Sequence, residues 1–267
     1  RQQLQPGGAM ELRRIDLSAR PDGLNTAMTD FAQQPFDLPS GEVFRAALFR
    51  LAENHHVLAV SVHHIAADGW SLGIFTRELS AFYEARLTGA AAALEPLPVQ
   101  YADFAVWQRR WLQGEILHTQ RDYWRRQLDR LPTLELPTDH ARPDQPSFAG
   151  AVVRTEIEPA LADRLVALGR AHECTLYMVL LAAYEALLSY YSGQDDIVVG
   201  SPVANRNRAE VEGLIGFFVN MLVMRTDLSG DPDFRRLLER VRETTLDAYA
   251  HQDVPFELVV DTVAPAR

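Results

Sequence analysis

Apolar and polar positions in the first half of the chain follow two different periods. Met10 to Leu17 and Val43 to Leu51 alternate closely enough to predict strands. The run His56-Val57-Leu58-Ala59-Val60-Ser61-Val62 predicts another strand, the central one of this half. Its alternation puts His56, Leu58, Val60, Val62 and His64 on one side and Ala59, Ser61 and His63 on the other. Both sides are largely apolar, which predicts a strand covered on both faces. Glu53-Asn54-His55 predicts a hairpin turn that pairs it antiparallel with the strand before it. Leu24 to Gln33 predicts a short helix, and Pro35-Phe36-Asp37-Leu38 leads into a turn at Ser40-Gly41. A helical pattern begins near Trp70, and Leu72, Ile74, Phe75, Leu79, Phe82 and Tyr83 give an amphipathic helix over 72–87, ended by Thr88-Gly89. The tract 90–93, with Pro96 and Pro98, reads as a surface connection, and helices follow from Tyr101 and over 116–131.

Pro132, Pro137, Pro143 and Pro146 exclude regular helix and central strand from the stretch around them. They predict a domain of residues 1–131, a connection over 132–149 and a second domain of residues 150–267. In that second half the pattern predicts a strand over 151–157, a helix over 159–171 and an almost wholly apolar, hence buried, helix over 175–191. A short strand over 197–200 precedes the polar loop Ser201 to Arg208. Phe217 to Thr226 predicts a strand with Asn220 among apolar neighbours, 234–250 an amphipathic helix, and His251 to Glu257 the start of a last one. The helix dipole near Cys174 could lower a thiol pKa, but the residues around it support no nucleophile and it reads as structural.

Composition narrows the function classes. A chain of 267 residues with 47% hydrophobic content can bury a large core. Its net charge of -10 argues against a nucleic-acid surface. One cysteine rules out an intrachain disulfide framework and suits a reducing, cytoplasmic setting. No apolar run approaches membrane-spanning length and no signal peptide is visible, so no membrane partner is expected. No Gly-x-Ser-x-Gly elbow occurs, which disfavours a serine hydrolase. A chain that begins at Arg1 and ends at Arg267 reads as a piece of something longer.

The candidate chemistry lies in His63-His64-Ile65-Ala66-Ala67-Asp68-Gly69-Trp70-Ser71. A histidine at a strand end can act as a general base if one neutral ring nitrogen faces the reacting group while the other is held. The plain alternative is a pair of hydrogen-bonded core histidines. Gly69 lets a substrate or another backbone come close. Asp68 is open between a second catalytic acid, a metal ligand and a structural anion paired with an arginine. Neighbouring His63 and His64 point to opposite faces, which argues against a shared metal ion.

At these residues the chain resembles the condensation domains of nonribosomal peptide synthetases. His63 to Gly69 looks like their HHxxxDG signature, which epimerisation domains and related acyltransferases share. Tyr101-Ala102-Asp103-Phe104-Ala105-Val106-Trp107, Ile215-Gly216-Phe217-Phe218-Val219-Asn220 and His251-Gln252-Asp253-Val254-Pro255-Phe256-Glu257 resemble the next three family motifs, in order and spacing. The similarity runs over essentially the whole chain. The family's early motifs and its last one are absent, so by this resemblance the chain looks like a middle fragment lacking both ends. Met221 stands where threonine is usual, and Ala141 where proline is frequent.

The resemblance implies an α/β fold of two chloramphenicol-acetyltransferase-like subdomains, with mixed sheets, flanking helices and an active-site tunnel between them. It implies peptide-bond formation between thioesters tethered to upstream and downstream peptidyl carrier proteins, beside an adenylation domain in the same synthetase. The domain itself binds no cofactor and no metal, and the substrates ride on the carriers' phosphopantetheine. His64 is placed at the centre, as the base or as the group that positions the amine and stabilises charge, with His63, Asp68 and Gly69 as its catalytic motif. Asp68 is read as structural, paired with Arg206 or, second, Arg208. Trp70, Ser71 and Asn220 are placed along the substrate tunnel, although a satisfied strand amide is an equal reading of Asn220. An epimerisation domain and a catalytically silent docking platform are the rival readings, and the aspartate pattern of heterocyclisation domains is missing. The PFDL segment and Gln113-Gly114-Glu115 lean towards an L-configured donor.

Overall fold

The computed structural model describes residues 10–141, 143–145 and 150–263, so Pro146 lies outside them. The chain folds as two compact units, one of Arg1–Ala105 with Arg206–Phe218, the other of Val106–Asn205 with Val219–Arg267. The stretch 132–149 falls within the range of the second unit.

In the first unit β1 (Leu12–Asp16) runs parallel to β2 (Phe44–Ala52), and β2 pairs antiparallel with β3 (His55–Val62) through the Glu53-Asn54 turn. The order β1-β2-β3 makes this a mixed sheet with β2 in the middle. Helix α1 (Leu24–Gln33) covers one face: Phe31 meets the fully buried Phe49 edge-on at 6.4 Å, with Ala47, Val57 and Ala59 around them. The expectation that β3 is a central strand covered on both faces is corrected. It lies at an edge of the described sheet, and Leu58 on its other face is 41% exposed. The helix α2 (Gly69–Thr88) begins at Gly69 because Asp68 caps it, and it ends at Gly89 with a left-handed φ of 73°. Its wide apolar side is not its seat: Ile74 is buried with Ser71, whereas Leu72, Leu79, Phe82 and Tyr83 are exposed.

The division between the units falls inside α3 (Tyr101–Trp111). The second unit continues with α4 (Gly114–Gln127), α5 (Pro159–Ala171), α6 (Leu176–Ser192) and β4 (Asp196–Val203). The strand expected over 151–157 is absent: this stretch is irregular and Val153 is 93% exposed, with no strand beside it among the described residues. Helix α6 is buried on one side only. Met178, Val179, Leu181, Ala182 and Leu188 are inside, while Leu176, Leu180, Tyr184, Leu187 and Tyr191 are exposed. Arg206–Phe218, carrying α7 (Ala209–Glu212), belongs to the first unit. Then β5 (Asn220–Asp227) pairs antiparallel with β4, and α8 (Phe234–Ala250) and α9 (Phe256–Val263) complete the second unit. Trp124, Met178, Ile197, Leu222, Leu238 and Val241 are central to its core.

Strand β5 starts later than the apolar pattern predicts. Residues 217–219 are not strand because the backbone there bonds elsewhere: the Phe218 N–H donates to Asp68 Oδ2 and the Phe217 carbonyl accepts from Tyr101.

Candidate functional site

The His63–Ser71 turn is built by side chains that replace missing backbone partners. Asp68 is the N-cap of α2: it is extended at φ -102° and accepts the Ser71 N–H at 2.9 Å, satisfying a donor the helix leaves open. Its carboxylate also accepts from the Ser71 hydroxyl at 2.7 Å, the Phe218 N–H at 3.0 Å and Arg206 Nη2 at 3.0 Å. Burial alone would push the Asp68 carboxyl up. The bonds from Ser71, Phe218 and Arg206 outweigh it and hold the group below its usual value.

Arg206 is the partner of Asp68, and both side chains are essentially sealed from water. Its Nη1 donates to the carbonyls of Val211 and Leu214 at 2.7 and 2.8 Å, and Nη2 also reaches the Ser71 hydroxyl at 3.1 Å. The guanidinium lies 4.1 Å over the Phe218 ring. One arginine thereby fixes the loop around α7, the aspartate and the helix start together.

Ser71, expected along a substrate path, is buried at the centre of this knot with 1% exposure. Its hydroxyl donates to Asp68 or to the Gly216 carbonyl at 2.9 Å, and accepts from the Gly216 N–H at 3.1 Å. Trp70 is half exposed, with its indole N–H donating to the Glu212 carbonyl at 3.0 Å. An Asp directly before a helical pattern is an N-cap signal and marks Asp68 in the sequence, but the long-range bonds that bury the Ser71 hydroxyl leave no local signal.

The two histidines part company, although not by strand alternation: β3 ends at Val62, and both lie in the turn that follows, which the Ala66 N–H closes on the His63 carbonyl at 2.9 Å. His63 Nδ1 accepts the Ile65 N–H at 3.0 Å and its ring meets Phe36 edge-on at 5.8 Å, so it shapes the turn. His64 is exposed, and its ring packs edge-on against Phe217 at 5.9 Å. Among the described residues neither nitrogen of His64 has a hydrogen-bonding partner. Gly69 opens α2, and a Cβ built there meets nothing within 4 Å, so the protein's own packing does not require glycine at this position. Among the described residues no group of three or more His, Cys, Asp and Glu side chains could hold a metal ion. No single described helix is long and apolar enough to cross a membrane.

Asn220 sits in the second unit and is fully engaged. Nδ2 donates to the carbonyls of Gln252 and Val254 at 2.8 and 2.9 Å, and Oδ1 accepts the N–H groups of Met221 and Phe256, each at 3.0 Å. The strand amide is a staple for the turn ahead of α9, with no bonding capacity left for a substrate. Asn220→Ala is expected to cost roughly 2–3 kcal/mol in urea unfolding, because it strands four backbone groups. A drop in activity with unchanged stability would contradict that assignment.

A family model described as the condensation domain matches residues 1–267. A linear gramicidin synthase polypeptide of Brevibacillus parabrevis is 50% identical over 262 residues, 96% of this chain and 3% of that protein. The X-domain from teicoplanin biosynthesis superposes with a TM-score of 0.90 at 32% identity, over 99% of this chain and 60% of that one. The first condensation domain of the calcium-dependent antibiotic synthetase, solved with a substrate analogue, gives a TM-score of 0.81 at 25% identity, over 98% of this chain and 61% of that one. The chain thus spans a small part of the gramicidin synthase polypeptide and about three fifths of each solved relative.

Proposed function

Since the chain belongs to the condensation-domain family of nonribosomal peptide synthetases, we propose that it forms a peptide bond between two carrier-bound thioesters. The acceptor amine attacks the donor thioester carbonyl, a C–N bond forms and the C–S bond breaks. The donor's phosphopantetheine thiolate leaves, and the proton lost by the amine balances it. The carriers, with an adenylation domain, are the partners, in the cytoplasm. The phosphopantetheine arms belong to them.

One observation carries the reading: the exposed His64 ring, with both nitrogens uncommitted among the described residues, beside a carboxylate that is fully committed. Asp68 spends its oxygens on Ser71, Phe218 and Arg206, so it serves as the rigid floor of the turn rather than as an acid. Among the described residues no carboxylate holds the second nitrogen of His64. That favours a histidine that accepts a hydrogen bond from the acceptor amine and steadies it for attack. Alignment of two tethered reactants then supplies much of the rate. The open space above Gly69 suits a close-lying phosphopantetheine arm.

The test uses the polypeptide that carries this chain, with donor and acceptor carriers loaded and the acceptor examined by mass spectrometry for the condensed product. His64→Ala is expected to lower product formation by roughly a hundredfold or more. Product unaffected by the substitution would remove His64 from the reaction. An acceptor left unextended while the donor's α-carbon is racemised would replace condensation by epimerisation.

A further inference from the structure

The imidazole of His64 meets a ring and, among the described residues, no hydrogen-bonding partner, and the backbone that carries that ring is anchored at three points. The Asp68 N–H donates to the Gly216 carbonyl at 3.1 Å, the Tyr101 hydroxyl to the Phe217 carbonyl at 2.8 Å, and the Phe218 N–H to Asp68 Oδ2 at 3.0 Å. Three successive residues are therefore tied down, two of them to the residue that ends the histidine turn. Burial, then the Asp68 charge, push the Tyr101 phenol up and keep it a donor. Gly216 makes the approach possible. A Cβ there would stand 2.3 Å from the Tyr101 ring and 2.8 Å from the Phe218 ring, so only glycine lets the backbone lie on them.

We propose that Phe217 is a positioning residue for the reaction: its ring, fixed through Gly216, Phe218 and Tyr101, sets the orientation in which His64 meets the acceptor amine. Phe217 is 38% exposed, whereas its neighbour Phe218 is buried in the cluster with Val211 and Leu214. The chain thus uses one phenylalanine of the pair for packing and presents the other to the histidine. The geometry suits this role, because the two rings meet edge-on, at 69°, at a centroid distance of 5.9 Å. A ring in that position blocks part of the imidazole's rotation without occupying either nitrogen. The proposal rests on the condensation reading for its effect on rate, but not for its effect on the imidazole itself.

The experiment compares Phe217→Leu and Phe217→Tyr in the polypeptide that carries this chain, with its histidines carbon-13 labelled. The His64 signal is assigned by its loss in His64→Ala. Phe217→Leu is expected to lower turnover at saturating loaded carriers by roughly tenfold to a hundredfold. The apparent KM for the carriers and the melting temperature should stay unchanged, and the His64 imidazole signal should move. Phe217→Tyr, which keeps the ring, is expected to restore both turnover and signal. Wild-type turnover with an unmoved His64 signal in the leucine variant overturns the proposal. So does a fall in turnover with the signal unmoved, since Phe217 would then act through something other than His64. If His64→Ala itself leaves product formation intact, it is the condensation role of His64 that fails. The His64 side-chain torsion, read from its carbon-13 couplings in the leucine variant, then still decides whether Phe217 orients the ring.

Discussion

Replacing Arg206 by alanine is expected to destabilise the first unit by about 3–5 kcal/mol. The arginine is buried, and its loss leaves the Asp68 carboxylate sealed from water with its positive partner gone. The same change strands the Val211 and Leu214 carbonyls and opens a void beneath Phe218. Arg206→Lys should recover little, because one ammonium cannot replace a fork that reaches two carbonyls, a carboxylate and a hydroxyl together. The sign with pH follows from the depressed Asp68 carboxyl. Its stabilisation is present above the ordinary carboxylate range and is lost as pH falls through the lower, folded value. Urea unfolding of the single variants and of Asp68→Asn with Arg206→Ala closes the cycle. The double variant is expected to lose clearly less than the two singles added. A single-variant loss under about 1 kcal/mol would mean that the pair is no more than a surface ion pair in its energetics.

A second large effect belongs to the other unit and has the opposite dependence on pH. Glu185 sits on α6 with no exposure, and among the described residues neither carboxyl oxygen has a hydrogen-bonding partner in good geometry. The hydroxyls of Thr226 and Thr245 are buried and unpartnered as well, and the Thr226 hydroxyl lies close enough to favour the charged form slightly. Burial dominates and pushes the Glu185 carboxyl up to about 7. Below 4.5 the group is protonated whether the chain is folded or not; between 4.5 and about 7 the unfolded chain gives up its proton first. Stability therefore falls as pH rises through that window and levels off above it, by roughly 3 kcal/mol in all. Glu185→Gln keeps the shape without the ionisation. It should flatten the profile between 4.5 and about 7 and leave the protein more stable than the wild type above that window. Parallel profiles for the two proteins would show that Glu185 is not the source. Tyr177, which feels the charge of Glu185, has its phenol pushed up chiefly by burial and does not ionise in this range.

The contrast between these two charged residues shows what could be read from the sequence. Asp68 lies in a motif that draws notice, and its pairing with Arg206 followed from a family resemblance rather than from spacing. Glu185 is the single acid inside the run Leu176 to Ser192, and hydrophobic patterning reads such a helix as buried without saying which polar atom goes in with it. Helices with one clear period, α1 and α8, were legible to the residue. The strand expected from Phe217 failed because alternation records which side chains are apolar, not where the backbone donors go. The strand expected over 151–157 failed because a strand needs a neighbour to pair with. The family resemblance placed Ser71 and Asn220 along the substrate path, with a satisfied strand amide as the equal reading of Asn220. In both cases the polar atoms are consumed by the fold itself.

Membership of Arg206–Phe218 in the first unit also has a consequence for the order of events during synthesis. Asp68 and its arginine are 138 residues apart in the chain. At roughly 5–20 residues per second, Asp68 leaves the ribosome some 7–28 s before its partner does. For that interval the sheet and α1 can assemble from local pairings, but the histidine turn has no lock, and Ser71 and Asp68 remain hydrated. The last element of the first unit to be made is the one that fixes its chemistry, so a chain released before Arg206 would carry the histidines without the geometry that orients them. Competence would then arrive as a late step, coupled to emergence of the loop that begins at Arg206 and slowed by the long closure it requires.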